Sequence, residues 1–278
     1  MAVLDMPEPT TPAARLRYAL ADAVAVARRN VVHIVRVPES LADVTIQPVI
    51  FVLLFGFVFG SAINIPGGGD YIQYLMPALY VMTMLGSFAA IAVGMADDAS
   101  KGIMDRFRSL PMARSAVLVG RSFANLLQSV LALIVTIGMG LAVGWRPGSD
   151  LAHTVAAFGL LLLLAFAMNW VGMFVGLVVR SSESANSIGM MVFLPLMFLA
   201  NTFVPTGGMP AALRTIANWN PVSAIVAASR DLFGNAAAIP VPDVWPLQHP
   251  IVATVGWALL LLAVFVPLAV RRYRTAMR

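Results

Sequence analysis

Six stretches of the chain carry no Asp, Glu, Lys or Arg: 44–69, 71–96, 122–145, 151–179, 184–213 and 244–270. Each is 24 to 30 residues long. Crossing the hydrocarbon core of a bilayer takes roughly 20 helical residues, because that core is about 30 Å thick and a helix rises about 1.5 Å per residue. A soluble helix of such length needs a charged face for water, and none of the six has one. The pattern predicts an all-α integral membrane protein with six transmembrane helices, placed near 45–64, 72–96, 115–143, 154–179, 186–204 and 251–270. Residues 1–43 precede this membrane domain of 44–270, and a basic tail, 271–278, follows it.

The segments between the stretches have patterns of their own. Ahead of the first, Leu16, Leu20, Val24, Ala27 and Val31 recur at three- and four-residue steps, with Arg15, Asp22, Arg29 and Arg36 on another side. Such a helix lies along the membrane surface or is solvated, and Thr11 followed by Pro12 is a suitable start for it. Beyond the fifth stretch, Pro205, Gly207, Gly208 and Pro210 break the helix; 211–219 and 222–233 read as two short helices joined at Asn220 and Pro221. Both are too short to cross, which predicts re-entrant or interfacial helices over 211–233. Glycines four apart occur at Gly56 and Gly60, Gly140 and Gly144, and Gly172 and Gly176. That spacing clears one helix face for close approach of another, within one subunit or, at Gly56 and Gly60, between two.

Charge sets orientation. Of 278 residues 60% are hydrophobic and 11% charged, with a net charge of +5. A nucleic-acid binder gathers its cations on one face, whereas here they sort by loop, so nucleic acid is not an expected partner and membrane lipids are. With the amino terminus inside, fifteen of the 18 basic residues fall in cytoplasmic segments, and Arg146, Arg214 and Arg230 fall outside. Positively charged loops resist translocation, so both termini are expected in the cytoplasm. Acidic residues and prolines over 1–12 stand where a secretory signal would carry positive charge and an apolar run, and no cleaved signal is expected.

Familiar catalytic chemistry finds few residues to use. A phosphate loop needs Lys after a glycine-rich turn, but the single lysine, Lys101, precedes Gly102. There is no cysteine, and His33, His153 and His249 stand far apart without a second ligand at helical spacing, so no metal and no bound cofactor are expected. All thirteen acidic residues lie outside the six stretches, which leaves a proton-driven carrier without intramembrane carboxylates. Gly67, Gly68, Gly69 and Asp70 superficially resemble an intramembrane aspartyl protease motif, yet no second intramembrane Asp accompanies them.

The most distinctive run lies between the second and third stretches. As a helix over 97–110, Ile103, Met104, Phe107 and Leu110 make an apolar face opposite Asp105, Arg106, Arg108 and Ser109, and Pro111 ends it. Asp97 with Lys101, and Lys101 with Asp105, stand four apart, each pair worth roughly 0.2 to 0.5 kcal/mol. A short charged-edged helix of this kind suits a groove in a soluble partner and suits the bilayer surface equally well.

From Lys101 to Met112, continuing through Arg114, Gly120 and Arg121, this run resembles the membrane subunit of type 2 ABC exporters, especially the daunorubicin-resistance permeases of actinobacteria. A second similarity covers Phe203, Val204, Pro205, Met209, Pro210, Leu213, Arg214, Ile216, Ala217, Asn220 and Pro221. The resemblance implies a permease without catalysis of its own in a bacterial plasma membrane, moving a hydrophobic or amphiphilic drug or lipid outward. It implies two copies of a separate ATP-binding subunit, which carry ATP and Mg, and a second permease, identical or related. It assigns docking on the ATPase to a coupling helix that includes Asp97, Asp98, Lys101, Asp105, Arg106, Phe107 and Arg108. Many members of that family carry glutamate at the start of this segment, where this chain has Asp97 and Asp98. An exit gate at Pro205, Met209, Pro210, Asn220 and Pro221 follows from the same likeness.

Residues for the path itself are less marked. Met76, Tyr80, Met84 and Phe88 recur every four residues, a stripe that serves core packing or an adaptable apolar path, with Asn201 and Phe203 as further candidates. Asn169, Asn186 and Asn201 are uncharged amides in apolar surroundings, expected to bond between helices. Two other classes stand beside the exporter: a membrane-embedded lipid-modifying enzyme using Asp231, Asp243 or His249, and a secondary carrier.

Overall fold

A computed structural model of the chain describes residues 38–59, 70–101, 114–200, 202, 209–236 and 241–276. Helix α1 (Pro38–Leu53) runs into a π-helical segment, Leu54–Phe59. Three long helices follow: α2 (Tyr71–Ser100), α3 (Arg114–Ala142) and α4 (Leu151–Val178). Next come α5 (Ser182–Phe198), the short α6 (Ala211–Trp219), α7 (Pro221–Phe233) and α8 (Trp245–Gln248), and finally α9 (Pro250–Ala276). No strand occurs among the described residues. Among the described residues four helical runs, Tyr71–Ser100, Leu118–Ala142, Leu151–Val178 and Pro250–Tyr273, are long and apolar enough to cross a membrane. The expected surface helix ahead of α1 lies outside the described residues.

Local chemistry fixes where the helices begin. Asp70 accepts from the Ile72 amide at 2.9 Å, Asp150 from the His153 amide at 3.0 Å and Ser181 from the Ser184 amide at 3.1 Å. Each satisfies an amide that the first helical turn leaves without a partner. The His153 amide, and then its ring, hold the Asp150 carboxyl below the ordinary carboxylate range. Asn220 caps α7 at 2.9 Å with Pro221 at its first position, and Gly234, at φ 68°, closes it in the left-handed conformation.

The bundle is built around α2, which packs against α4, α5, α3 and α7. Close approach of α2 and α4 depends on the Gly172 and Gly176 pair: a Cβ on Gly172 would meet Phe88 O at 2.5 Å, and one on Gly176 would meet Ala92 O. This pair therefore packs within one subunit. By contrast Gly56 has open space around it, and Gly60 lies outside the described residues. The rim is apolar and open: Ile50, Phe57 and Val58 of α1 and its extension, Met191 and Phe198 of α5, and Val252 and Leu259 of α9 are all exposed. Lipid is the solvent such surfaces fit.

Helix α7 is only 13 residues long, yet Ser223, Ala224, Ile225, Val226, Ala228, Ser229 and Phe233 on it are completely covered. It is wedged among α2, α4 and α9. At its end an aromatic cluster forms, with Phe233 packed on Tyr80, Trp145 and Phe158 at ring separations of 5.8, 5.2 and 5.0 Å. Gly140 faces the same cluster: a Cβ there would lie 2.7 Å from Met76 Cε and from Tyr80 Oη. The methionine end can swing away, whereas the tyrosine ring is held on several sides. Gly140→Ala is therefore expected to cost about 1 to 3 kcal/mol by overpacking. Gly138→Ala, with nothing within 4 Å, should be neutral or stabilising. Thermal unfolding of the two variants in detergent micelles checks the contrast, and equal melting temperatures would refute it.

Candidate functional site

The Ser100 end of α2 carries the first residues of the charged run. Lys101 Nζ binds Asp97 Oδ2 at 2.7 Å, with 62% and 40% of the two side chains exposed, and contributes little to stability at that exposure. Asp98 faces the other way and forms an ion pair with Arg121 of α3. These two side chains are 30% and 19% exposed, so the pair is largely removed from water. Gly94 makes room for it, since a Cβ there would stand 2.9 Å from Arg121 Nη2. Asp105, Arg106, Phe107 and Arg108 lie outside the described residues.

Above this pair a cavity of about 320 Å³ opens between α1, α2 and α3, with Phe193 of α5 on its wall. One face of α3 supplies Arg121, Asn125, Gln128, Ser129, Ala132 and Thr136, at the spacing that keeps residues on one side of a helix. Thr83 and Ser87 come from α2, and Gln47 from α1. The hydroxyls of Thr83 and Ser87 donate back to Leu79 O at 2.9 Å and Met84 O at 2.7 Å. Thr136 does the same to Ala132 O at 2.7 Å. Their remaining capacity is to accept. Arg121 thus belongs to both the cavity wall and the ion pair with the end of α2.

The methionine and aromatic stripe of α2 takes another place. Met76, Tyr80, Met84 and Phe88 are at most 1% exposed and belong to the main core cluster. The cavity sees Met82, Thr83, Gly86, Ser87 and Ala90 instead. Asn169 is fully buried with neither amide atom bonded to a described residue, and Asn186 is exposed, so neither makes the interhelical bond expected of it among the described residues. Asn201 and Phe203 lie outside them.

At the opposite end of α2, Asn220, one of the residues foreseen for a gate, bonds to a neighbouring element. Pro205 lies outside the described residues; Met209 and Pro210 lead into α6, and Pro221 opens α7. Asn220 Nδ2 donates to Leu196 O and Leu199 O at 2.8 Å each, tying the α6–α7 junction to the end of α5. Arg230, 5% exposed, donates from Nε to Tyr74 O at 3.1 Å and from Nη2 to Thr202 O at 3.0 Å. Its guanidinium lies 3.5 Å from the centre of the Tyr74 ring. Nearby, Gln73 donates to Gly144 O at 3.1 Å, while Asn235 donates to Gln73 Oε1 at 3.0 Å and accepts from Trp145 Nε1 at 3.1 Å. This end of the bundle is closed by hydrogen bonds that join α2, the α3–α4 turn and α7.

Several helices of membrane-crossing length around a cavity lined by both polar and apolar side chains mark a multi-pass membrane protein. The chain belongs to the ABC-2 type transporter family, whose model matches residues 22–233. It is 31% identical over 237 residues to the daunorubicin resistance ABC transporter permease protein DrrB1 of Streptomyces coeruleorubidus, covering 85% of this chain and 80% of that one. A putative transport permease, ycf38, of Cyanophora paradoxa is 22% identical over 245 residues, with 86% and 82% covered. A probable doxorubicin resistance ABC transporter permease protein, DrrC, of Mycobacterium tuberculosis is 21% identical over 185 residues, with 66% and 67% covered.

Proposed function

We propose that this chain is the membrane subunit of an ATP-driven exporter that moves a hydrophobic or amphiphilic compound, drug or lipid, out of the cytoplasm or inner leaflet. The reading rests on one arrangement in a member of the ABC-2 family: the charged end of α2 is joined by Asp98 and Arg121 to the helix whose polar face lines the cavity. Relatives named for daunorubicin and doxorubicin resistance favour a drug among the substrates. In this reading α1 with its π-helical extension and α5 are the two shorter of six spans. Both termini are cytoplasmic, and residues 97–110 meet the partner. Two ATP-binding subunits hold ATP and Mg, and a second permease, identical or related, completes the path along the faces that include Gly56 and Gly60. This chain catalyses nothing itself; the assembled complex hydrolyses ATP.

Work reaches the cavity because packed helices shift between discrete arrangements and deform little between them. Movement of the partner displaces residues 97–110, and the Asp98–Arg121 pair carries that displacement to α3. The test is reconstitution with an ABC ATPase subunit that co-purifies with this chain. Phe107→Ala, and Arg106→Glu with Arg108→Glu, are expected to leave insertion intact while lowering export about tenfold or more relative to ATP hydrolysed, as expected for loss of a central interface anchor. Export undiminished by these changes, or pumping by the permease alone, would overturn the reading.

A further inference from the structure

The cavity wall specifies more than room for an apolar compound. We propose that the space between α1, α2 and α3 binds the neutral, hydroxyl-bearing part of an amphiphile, with its apolar part laid toward Phe51 and Phe193. Three features of the lining carry this. First, the Thr83 and Ser87 protons are already given to helix carbonyls, so these hydroxyls offer acceptor positions to an occupant. Second, the lining also holds amide donors: Gln47, Gln128 and Asn125, whose buried Nδ2 has no partner among the described residues. Leaving such a donor unmet is costly, and a ligand oxygen relieves it. Third, among the described residues of the lining Arg121 is the one ionisable group, and Asp98 pairs with it.

Hydroxyl groups answer this wall because each both donates and accepts, as the mixture of acceptors and donors requires. A carboxylate or sulfate only accepts, which leaves it without donors for Thr83 and Ser87 and places a second anion near Asp98. An ammonium only donates, which leaves the Asn125 amide unmet and sets a cation beside Arg121. At about 320 Å³ the space falls at the lower end of drug-sized sites, enough for one sugar-sized polar group. Such a group is supplied either by a hydroxylated soluble compound or by the headgroup of a membrane lipid. This inference deepens the export reading, but its test uses binding alone, so a negative result removes the site and leaves export standing.

The full chain is placed in phosphatidylcholine nanodiscs and exposed to an alkyl glucoside with a diazirine in its tail, kept below its micelle concentration. A second probe carries the same tail ended by sulfate. The glucoside is expected to label 47–51 and 82–90 saturably, as mapped by mass spectrometry, whereas sulfate labels lipid-facing surface only. Asn125→Leu combined with Gln128→Leu should weaken glucoside binding about tenfold, the equivalent of one hydrogen bond of ordinary net strength. Ala90→Phe fills the cavity from an exposed position on α2 and should weaken it similarly, which preserves the test if the first variant misfolds. Displacement by a glucosyl diacylglycerol in the disc marks a lipid source and displacement by aqueous phenyl glucoside a soluble one; either supports the site. Failure of both to displace the probe, unchanged binding in the variants, or equal competition by the sulfate probe would overturn it.

Discussion

Asp98→Arg is expected to reduce export at least tenfold, and adding Arg121→Asp is expected to bring it back to within a few-fold of the original. The pair is 30% and 19% exposed, so its attraction is only partly screened by water. Reversing one partner sets two cations against each other in a space shaped by Gly94 and breaks the link between α2 and α3. The exposed pair of Lys101 with Asp97 has no comparable leverage on stability. The measurement is a double-mutant cycle on compound-stimulated ATP hydrolysis and on export in vesicles, with equal membrane amounts verified for each variant. Coupling by the restored pair separates a mechanical link from simple loss of charge. If the double variant is as inactive as Asp98→Arg alone, or if Asp98→Arg exports normally, the pair does not join the end of α2 to the cavity.

Why the sequence showed the helices and concealed the cavity is visible on α3. Counting Asp, Glu, Lys and Arg finds membrane helices because a charge in lipid is expensive, and the four described helical runs of crossing length each overlap a charge-free stretch over most of their length. The same count treats Ser, Thr, Asn and Gln as if they were apolar. Residues 122–145 thereby passed as uniform, although Asn125, Gln128, Ser129 and Thr136 share one helix face and line the cavity with Arg121, one residue outside the stretch. A search for polar positions at three- and four-residue spacing would have found it. The α2 stripe shows the opposite limit. Spacing puts Met76, Tyr80, Met84 and Phe88 on one side of the helix, but only the tertiary arrangement decides that α4, Trp145 and Phe233 cover that side. Glycine spacing has the same ambiguity, settled for Gly172 and Gly176 by the backbone of α2 lying against them.

Arg230→Lys is expected to destabilise the protein by about 2 kcal/mol or more although the charge is retained, because a desolvated stack on an aromatic ring is worth roughly that much and the second carbonyl bond is lost with it. A guanidinium reaches Tyr74 O and Thr202 O together while lying flat on the Tyr74 ring, as its planar fork allows. An ammonium is a compact point charge that cannot hold that geometry, and at 5% exposure no water replaces the missing contacts. These contacts span 156 and 28 residues of sequence, so their loss frees α7 from both α2 and the segment after α5. Asn220, bonded to Leu196 O and Leu199 O, remains as the second fastening and should keep α6 and α7 attached. Arg230→Lys together with Asn220→Ala is therefore expected to lose more than the sum of the two single losses, with the α7 amides opening to hydrogen exchange. Thermal unfolding and exchange in micelles read both effects. A lysine variant that melts with the parent protein would show that Arg230 does not clamp α7, and additive losses would show that the two fastenings act separately.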